Sequence, residues 1–256
     1  MDEIKIKTMD IELPTWDLSE IYENIDDPNI ELDIKKIKEL SEDFSIQWKG
    51  KIKDLNASEF LNCIETFQNI SEKIYKIGTH SNLIFATNME DPEISRYNAS
   101  VSDKLTEISS LLVFFTLELS KLDDKTVSEW TKGTNSSKWL PYLTILRKKN
   151  DYLLDPLVEE MLIEKSATGR SAWVRLFDET SAALRFPFKK EMLSEAEILN
   201  LLSDPNPENR KLAGKSLSEV LENNKRILGM ILNVISRDRY IEDNKRGFKG
   251  IVSSRN

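Results

Sequence analysis

His80 and Cys63 are the single histidine and the single cysteine of a 256-residue chain. They bound the chemistry this sequence can host. A catalytic zinc typically takes three protein ligands, most often histidine with carboxylate or cysteine. One histidine and one cysteine do not make such a set, and H-E-x-x-H is absent. A Ser-His-Asp relay would have to run through His80, in "GTHSNLIF", yet no serine stands in a nucleophile-elbow context. A Cys63–His80 pair is geometrically conceivable. Cys63, however, lies beside Ile64 in a helix-forming stretch, where buried thiols are common and inert. A lone histidine in a helical stretch also reads as a packing residue.

The other chemistry-bearing residues read as structure. Carboxylate-only sites for magnesium or calcium stay open, but "DDP", "LDD" and "EDN" are better explained as helix caps and loops. Glu159 and Glu160 read as a solvated face. "ATGRSAW" lacks the spacing of a phosphate-cradling loop, and "GFKG" belongs to no defensible motif. Trp16, Trp48, Trp130, Trp139 and Trp173 are scattered, as packing anchors are. No catalytic, cofactor-binding or metal-binding residue can be assigned from these patterns.

Composition narrows the class further. A net charge of -8 and a pI near 5.0 argue against general nucleic-acid binding, which needs a basic face. The last twenty residues, from Arg237, are locally basic and read as a solvated segment. With 39% hydrophobic and 31% charged residues the chain can bury a core and stay soluble. No run approaches the ~18 apolar residues of a membrane helix. The opening "MDEIKIKTMDIELPTWDL" lacks an apolar core followed by a small-residue cleavage site, so no secretory leader is expected. A single cysteine fits a reducing compartment, and the location expected is cytoplasmic.

Eight glycines and eight prolines are few for a sheet protein, and they favour helices. The first dozen residues have no strong period. Asp17 and Glu20 are spaced as a capping pair for a short helix over 18–22, with Trp16 as an apolar staple. The next helix, ended by Gly50, carries Leu32, Ile37, Leu40 and Phe44 on one side. Asn56 and Glu59 open a longer one, with Phe60, Ile64, Phe67, Ile74 and Ile77, running to about Gly78; residues 79–90 prolong or bend it.

Asp91 caps and Pro92 starts the cleanest pattern. Ile94, Tyr97, Val101, Leu105, Ile108, Leu112, Phe115 and Leu119 form one stripe. Thr126 with Glu129 opens a further helix, and residues 143–149, 155–166 and 173–184 follow. "ALRFPFKKEML" predicts a small β-hairpin near residues 183–193. Ser194 and Glu197 form a capping box. Ser203 or Asp204 then caps a helix, with Pro205 or Pro207 in its first turn. It runs to Tyr240 on a stripe that includes Leu212, Leu217, Val220, Leu221, Ile227, Leu228, Ile231, Val234 and Ile235. Candidate boundaries fall at 120–125 and 184–194.

Three stretches, in this order, resemble the N-terminal half of the oligoendopeptidase F family of zinc metallopeptidases: "LPTWDLSEIY", "SAWVRLFDETSAALRFPF" and "LSDPNPENRKLAGKSLSEVLENN". Trp16-Asp17-Leu18, Trp173 with Arg175-Leu176-Phe177, and Arg210 near Ala213 carry it. The resemblance implies a mainly α, multi-helical array forming one wall and lid of a peptidase cleft. It implies an N-terminal helical subdomain over 1–120, a middle helical region with the hairpin over 121–193, and the start of the catalytic-domain helices over 194–256. It also implies zinc, short peptides as substrates, and a catalytic half bearing H-E-x-x-H, which this chain does not contain. The end at Asn256 is therefore expected to be a truncation, and exposed apolar surface is expected where the catalytic half would sit. A complementary chain is the implied partner, with no nucleic acid or membrane. Glu118, Arg147 and Arg185 stay open between cleft and surface. A free-standing helical binding module and an unrelated helical bundle are the rival readings.

Overall fold

The computed structural model describes residues 17–133 and 135–254. The proposed staple Trp16 lies outside them. Over 18–22 the chain makes a single turn instead of a helix: Ile21 and Tyr22 donate back to the Leu18 carbonyl. Asp17 does accept the Ser19 N–H, at 2.9 Å, but with too few residues beyond to propagate a helix.

α1 runs Pro28–Trp48, capped by Asp27. Ile30, Ile34, Ile37, Ser41, Phe44 and Trp48 are buried at steps of three or four. Leu32, expected on this side, is 63% exposed. Two residues from Ile30 is about 200° around the helix, and that places Leu32 opposite the core. α2 spans Ala57–Thr87 behind the predicted Asn56–Glu59 capping box. It passes straight through Gly78. A Cβ there would meet Leu105 Cδ1 of the neighbouring helix at 3.4 Å, an ordinary van der Waals contact.

That neighbour is α3, Pro92–Ser110, capped by Asp91. The single long helix predicted here is two, because the chain turns at Leu111–Leu112 before α4, Val113–Ser120. The stripe survives the turn, with Leu105, Ile108, Leu112, Phe115 and Leu119 all buried. Periodicity therefore gave no sign of the break. α5, Asp124–Trp130, is capped by Asp123, which accepts the Thr126 N–H, so the cap lies three residues before the position expected.

The first core gathers α1 to α6, the last spanning Leu140–Lys148. Phe44, Phe67, Phe114 and Phe115 cluster at its centre. Phe60 stacks on Trp130 at 4.4 Å, and Trp130 Nε1–H donates to the Leu55 carbonyl at 3.1 Å. Each buried Phe contributes on the order of 1.5–3 kcal/mol, so this cluster anchors the N-terminal half of the fold.

α7, Pro156–Ser166, and α8, Arg170–Ala183, lead to the predicted hairpin, β1 Phe186–Phe188 and β2 Glu191–Leu193. The strands are antiparallel with Phe186 opposite Leu193. Lys189 takes φ 56° in the two-residue turn, as a tight hairpin requires. α9, Glu195–Leu201, carries the Ser194–Glu197 capping box. α10 is a 40-residue helix, Pro207–Arg246. At 1.5 Å per residue it spans about 60 Å. Asn206 caps it, not Ser203 or Asp204; Asp204 instead accepts the Asn206 N–H. It continues past Tyr240 and ends at Gly247, whose φ of 80° suits glycine.

A second core joins Leu184, Phe186, Phe188, Ile198 and Ala213, with Leu217 and Val220 against it. Leu212 and Leu221, placed on the stripe from sequence, are exposed. α10 packs on α8, α9 and β1, and its last turns reach Glu159 of α7. The molecule is thus mainly helical with one small hairpin, and no helix of the described residues is long and apolar enough to cross a membrane.

Candidate functional site

α2 and α3 lie side by side, and α7 packs on α3 while touching α8. Between these pairs runs a groove of two joined parts, of about 350 and 200 Å³. Asn82, Asn98 and Ser102 line both parts. Asn98 Nδ2 donates to Ser81 Oγ and to Asn82 Oδ1, each at 3.1 Å, which fixes the amide orientation. Arg170, Arg175 and Asp178 close the α8 side. Burial pushes the Asp178 carboxyl above its ordinary value. The groove offers amide, hydroxyl, guanidinium and carboxyl groups at close quarters. That set suits hydrogen bonding to a polar chain, and no serine in it is paired with a histidine base.

His80 is fully buried elsewhere. Its Nδ1 lies 2.9 Å from the Tyr97 hydroxyl, and its ring meets the edge of Tyr22 at 5.2 Å. Burial lowers its pKa, which the Tyr22 backbone and the Asp27 charge only partly offset. Burial also pushes Tyr97 up to about 12, so its hydroxyl stays protonated. Cys63 is fully buried, and burial pushes its thiol up to about 12. Among the described residues no three His, Cys, Asp or Glu side chains converge to hold a metal ion. With its histidine and its cysteine each sealed in packing, the described chain does not fit zinc.

Three residues left open by the sequence turn out to tie the frame together. Glu118 accepts the Gly50 N–H at 2.8 Å and the Ile52 N–H at 3.3 Å. Arg147 donates to the Leu122 carbonyl at 2.8 Å and pairs with Asp124. Arg185 bonds the Ala182 and Leu184 carbonyls and pairs with Glu90.

The reading of Glu159 as solvated is corrected. It is 7% exposed and accepts two hydrogen bonds from Arg246. The "EDN" carboxylates are no caps either: Glu242 pairs with Arg246, and Asp243 with Arg239. The basic tail is in part a docked segment, since Phe248 stacks on Tyr152 at 4.1 Å after the helix ends. Sequence reasoning missed both the groove and this clasp. Their members lie on separate helices with no shared spacing.

Apolar surface is left open along α10, where Met230, Leu232, Tyr240 and Ile241 are each about half exposed or more.

Residues 118–186 match a family profile described as Oligopeptidase F. The crystal structure of oligoendopeptidase-F from Enterococcus faecium shares the fold with a TM-score of 0.78 at 19% identity, over 89% of this chain and 46% of that one. A protein from Chlamydophila abortus, provisionally assigned as a peptidase, overlays with a TM-score of 0.54 at 14% identity, over 95% of this chain and 42% of that one. This chain spans less than half the length of either structure. The search of curated proteins found no match. The chain thus resembles oligoendopeptidase F in sequence over 118–186 and in fold over most of its length. Of the stretches that carried the resemblance, the middle one falls largely inside the matched segment.

Proposed function

We propose that this chain is the non-catalytic, N-terminal portion of a zinc metallo-oligopeptidase that hydrolyses short peptides. It supplies the wall and lid that enclose the substrate and is inactive by itself. The observation that carries this reading is the oligopeptidase F profile match in the middle of a fold shared with oligoendopeptidase-F. The zinc and the peptide-cleaving chemistry belong to a complementary catalytic half. The helices of 1–120 and 121–193 form the enclosing array, and 194–256 forms the first helices of the catalytic region. The polar groove around Asn98 and Arg170 contributes hydrogen bonds to a peptide backbone. The assembly works in the cytoplasm, with no nucleic-acid or membrane partner.

Co-expression tests this. The chain is produced together with an H-E-x-x-H-bearing half and the pair is purified through a tag on one of them. A stoichiometric complex is expected. A monomeric, cooperatively folding chain that never associates would instead favour a free-standing binding module.

A further inference from the structure

The polar groove has a direction. Asn98 of α3 bonds Ser81 and Asn82 of α2, while Leu105, further along α3, lies over Gly78, so the two helices run antiparallel. One end of the groove is at Gly78 and Ser109, where Ile163 and Ser166 of α7 meet it. The other is at Phe85 and Asn98, where α8 meets it. Arg170, Val174 and Asp178 follow one another along α8 at steps of four. Asp178 is the last of them on the groove and sits at the Phe85 end. From Ser109 to Asn98 the floor is about 16 Å long, which about five residues of extended chain would span.

Four charged groups line this groove: Asp103, Arg170, Arg175 and Asp178. Arg175 is engaged by Glu179, at 3.5 Å. Asp103 and Arg170 are exposed, so water solvates them. Asp178 differs from all three. It is half-buried, and it has no hydrogen bond or ion pair with any described residue. Burial alone sets its raised pKa, so neither arginine is close enough to compensate it. Phe85 and Val174, which share its end of the groove, carry no side-chain donor. A carboxylate drawn out of water and left without donors is costly, and a cation with several N–H groups would relieve it.

The middle of the groove, with Asn82, Asn98 and Ser102, offers neutral donors and acceptors of the kind that suit peptide amides. Its end offers one unmatched negative charge. A peptide chain carries the converse arrangement: neutral amides along its length and an ammonium with three donors at its first residue.

We infer that Asp178 receives the free α-ammonium of a bound peptide, whose chain then runs past Asn98 toward Ser109. The groove accordingly selects peptides with an unblocked N-terminus. This rests on the reading of the groove as a peptide site, and it names the end of the peptide that is recognised.

The test uses the full chain and a five-residue peptide of alanine, serine and glutamine with a fluorophore at its C-terminus. Anisotropy should show the free peptide binding ~10-fold or more tighter than its N-acetylated form. Binding of the free peptide should weaken about tenfold between pH 7 and pH 9, as an α-amino group of pKa near 8 loses its proton. An N-acetylated peptide with an internal lysine should bind no better than the acetylated parent. Asp178→Asn should bind free and acetylated peptides alike while the melting temperature at pH 7 holds or rises, a pairing that a merely structural role would not produce. Asp103→Asn should keep the preference. Equal binding of the free and acetylated peptides, or binding of neither at millimolar concentration, would overturn the inference. So would a preference that survives Asp178→Asn in a folded chain or disappears with Asp103→Asn. An acetylated lysine peptide as tight as the free one would overturn it too, since the carboxyl would then read side-chain cations. The acetylated control and the pH profile use the unaltered chain, so they decide the matter even where a variant is unstable. If amine-dependent binding appears but no catalytic half associates, the Asp178 site stands and the peptidase reading fails; the converse result sinks only the site.

Discussion

Arg246, in the last turn of α10, grips Glu159, in the first turn of α7, through two parallel hydrogen bonds of 2.5 and 2.8 Å. The same guanidinium reaches Glu242 and the Tyr152 carbonyl, and Glu159 also accepts the Leu154 N–H at 2.8 Å. The clasp joins the end of the longest helix to the middle of the fold. The side chains are only 16% and 9% exposed, so removing one partner leaves the other poorly solvated.

Arg246→Ala should therefore destabilise the chain by about 3 kcal/mol, and Glu159→Gln by about 2. The pH dependence has a defined sign. Burial alone would raise the Glu159 pKa, but Arg246 and the Leu154 N–H outweigh it and hold the carboxyl below 4.5. A lowered folded pKa makes the contribution whole above the unfolded value and loses it as pH falls through the folded one. Urea midpoints of wild type and Glu159→Gln should differ by a constant amount above about pH 5 and draw together as pH falls below 4.5. A gap unchanged down to pH 3 would refute this.

The lone histidine gives a second handle. Its folded pKa lies below 6.5 because the ring is buried. The unfolded chain then binds more protons than the folded one between the folded value and 6.5, so stability falls as pH drops through that window. His80→Gln should remove this slope below pH 6.5 while costing stability at pH 8, where the Tyr97 contact is weakened. The single imidazole resonance, titrated by NMR, should show a midpoint below 6.5; a midpoint above it would contradict the burial argument.

Cys63 should resist thiol reagents in the native chain. It is fully buried and its thiol is pushed up to about 12. Labelling with a disulfide reagent should follow the unfolded fraction across a urea titration. Rapid stoichiometric labelling without denaturant would show that the α2 packing opens.

Much of this architecture was legible because capping chemistry is local. Asn56–Glu59, Asp91–Pro92 and Ser194–Glu197 each mark a helix start where the structure has one. The hairpin was legible from apolar alternation across Lys189 and Lys190. Misplaced starts had competing caps nearby, as with Asp123 before Thr126 and Asn206 after Asp204. Leu32 shows the limit of hydrophobicity alone, because angle around the helix decides burial. The turn at Leu111 stayed hidden because the apolar stripe continues through it. The groove could not be read at all: Asn82, Asn98 and Arg170 meet only after three helices pack.

That groove yields a prediction in the assembled enzyme. On the proposed function, in which the groove holds a peptide backbone, Asn98→Ala and Arg170→Ala should each raise KM several-fold with kcat unchanged. An unchanged KM for both variants would remove the groove from the substrate path.

The most direct measurement is hydrolysis of a quenched short peptide in the presence of zinc, by the chain alone, by an H-E-x-x-H-bearing half alone, and by the two mixed. The account predicts no turnover by this chain, little by the catalytic half, and strong turnover only in the mixture. Turnover by the purified chain alone, abolished by chelator and restored by zinc, would contradict it, because His80 and Cys63 are sealed in separate contacts and no other ligand set is present among the described residues.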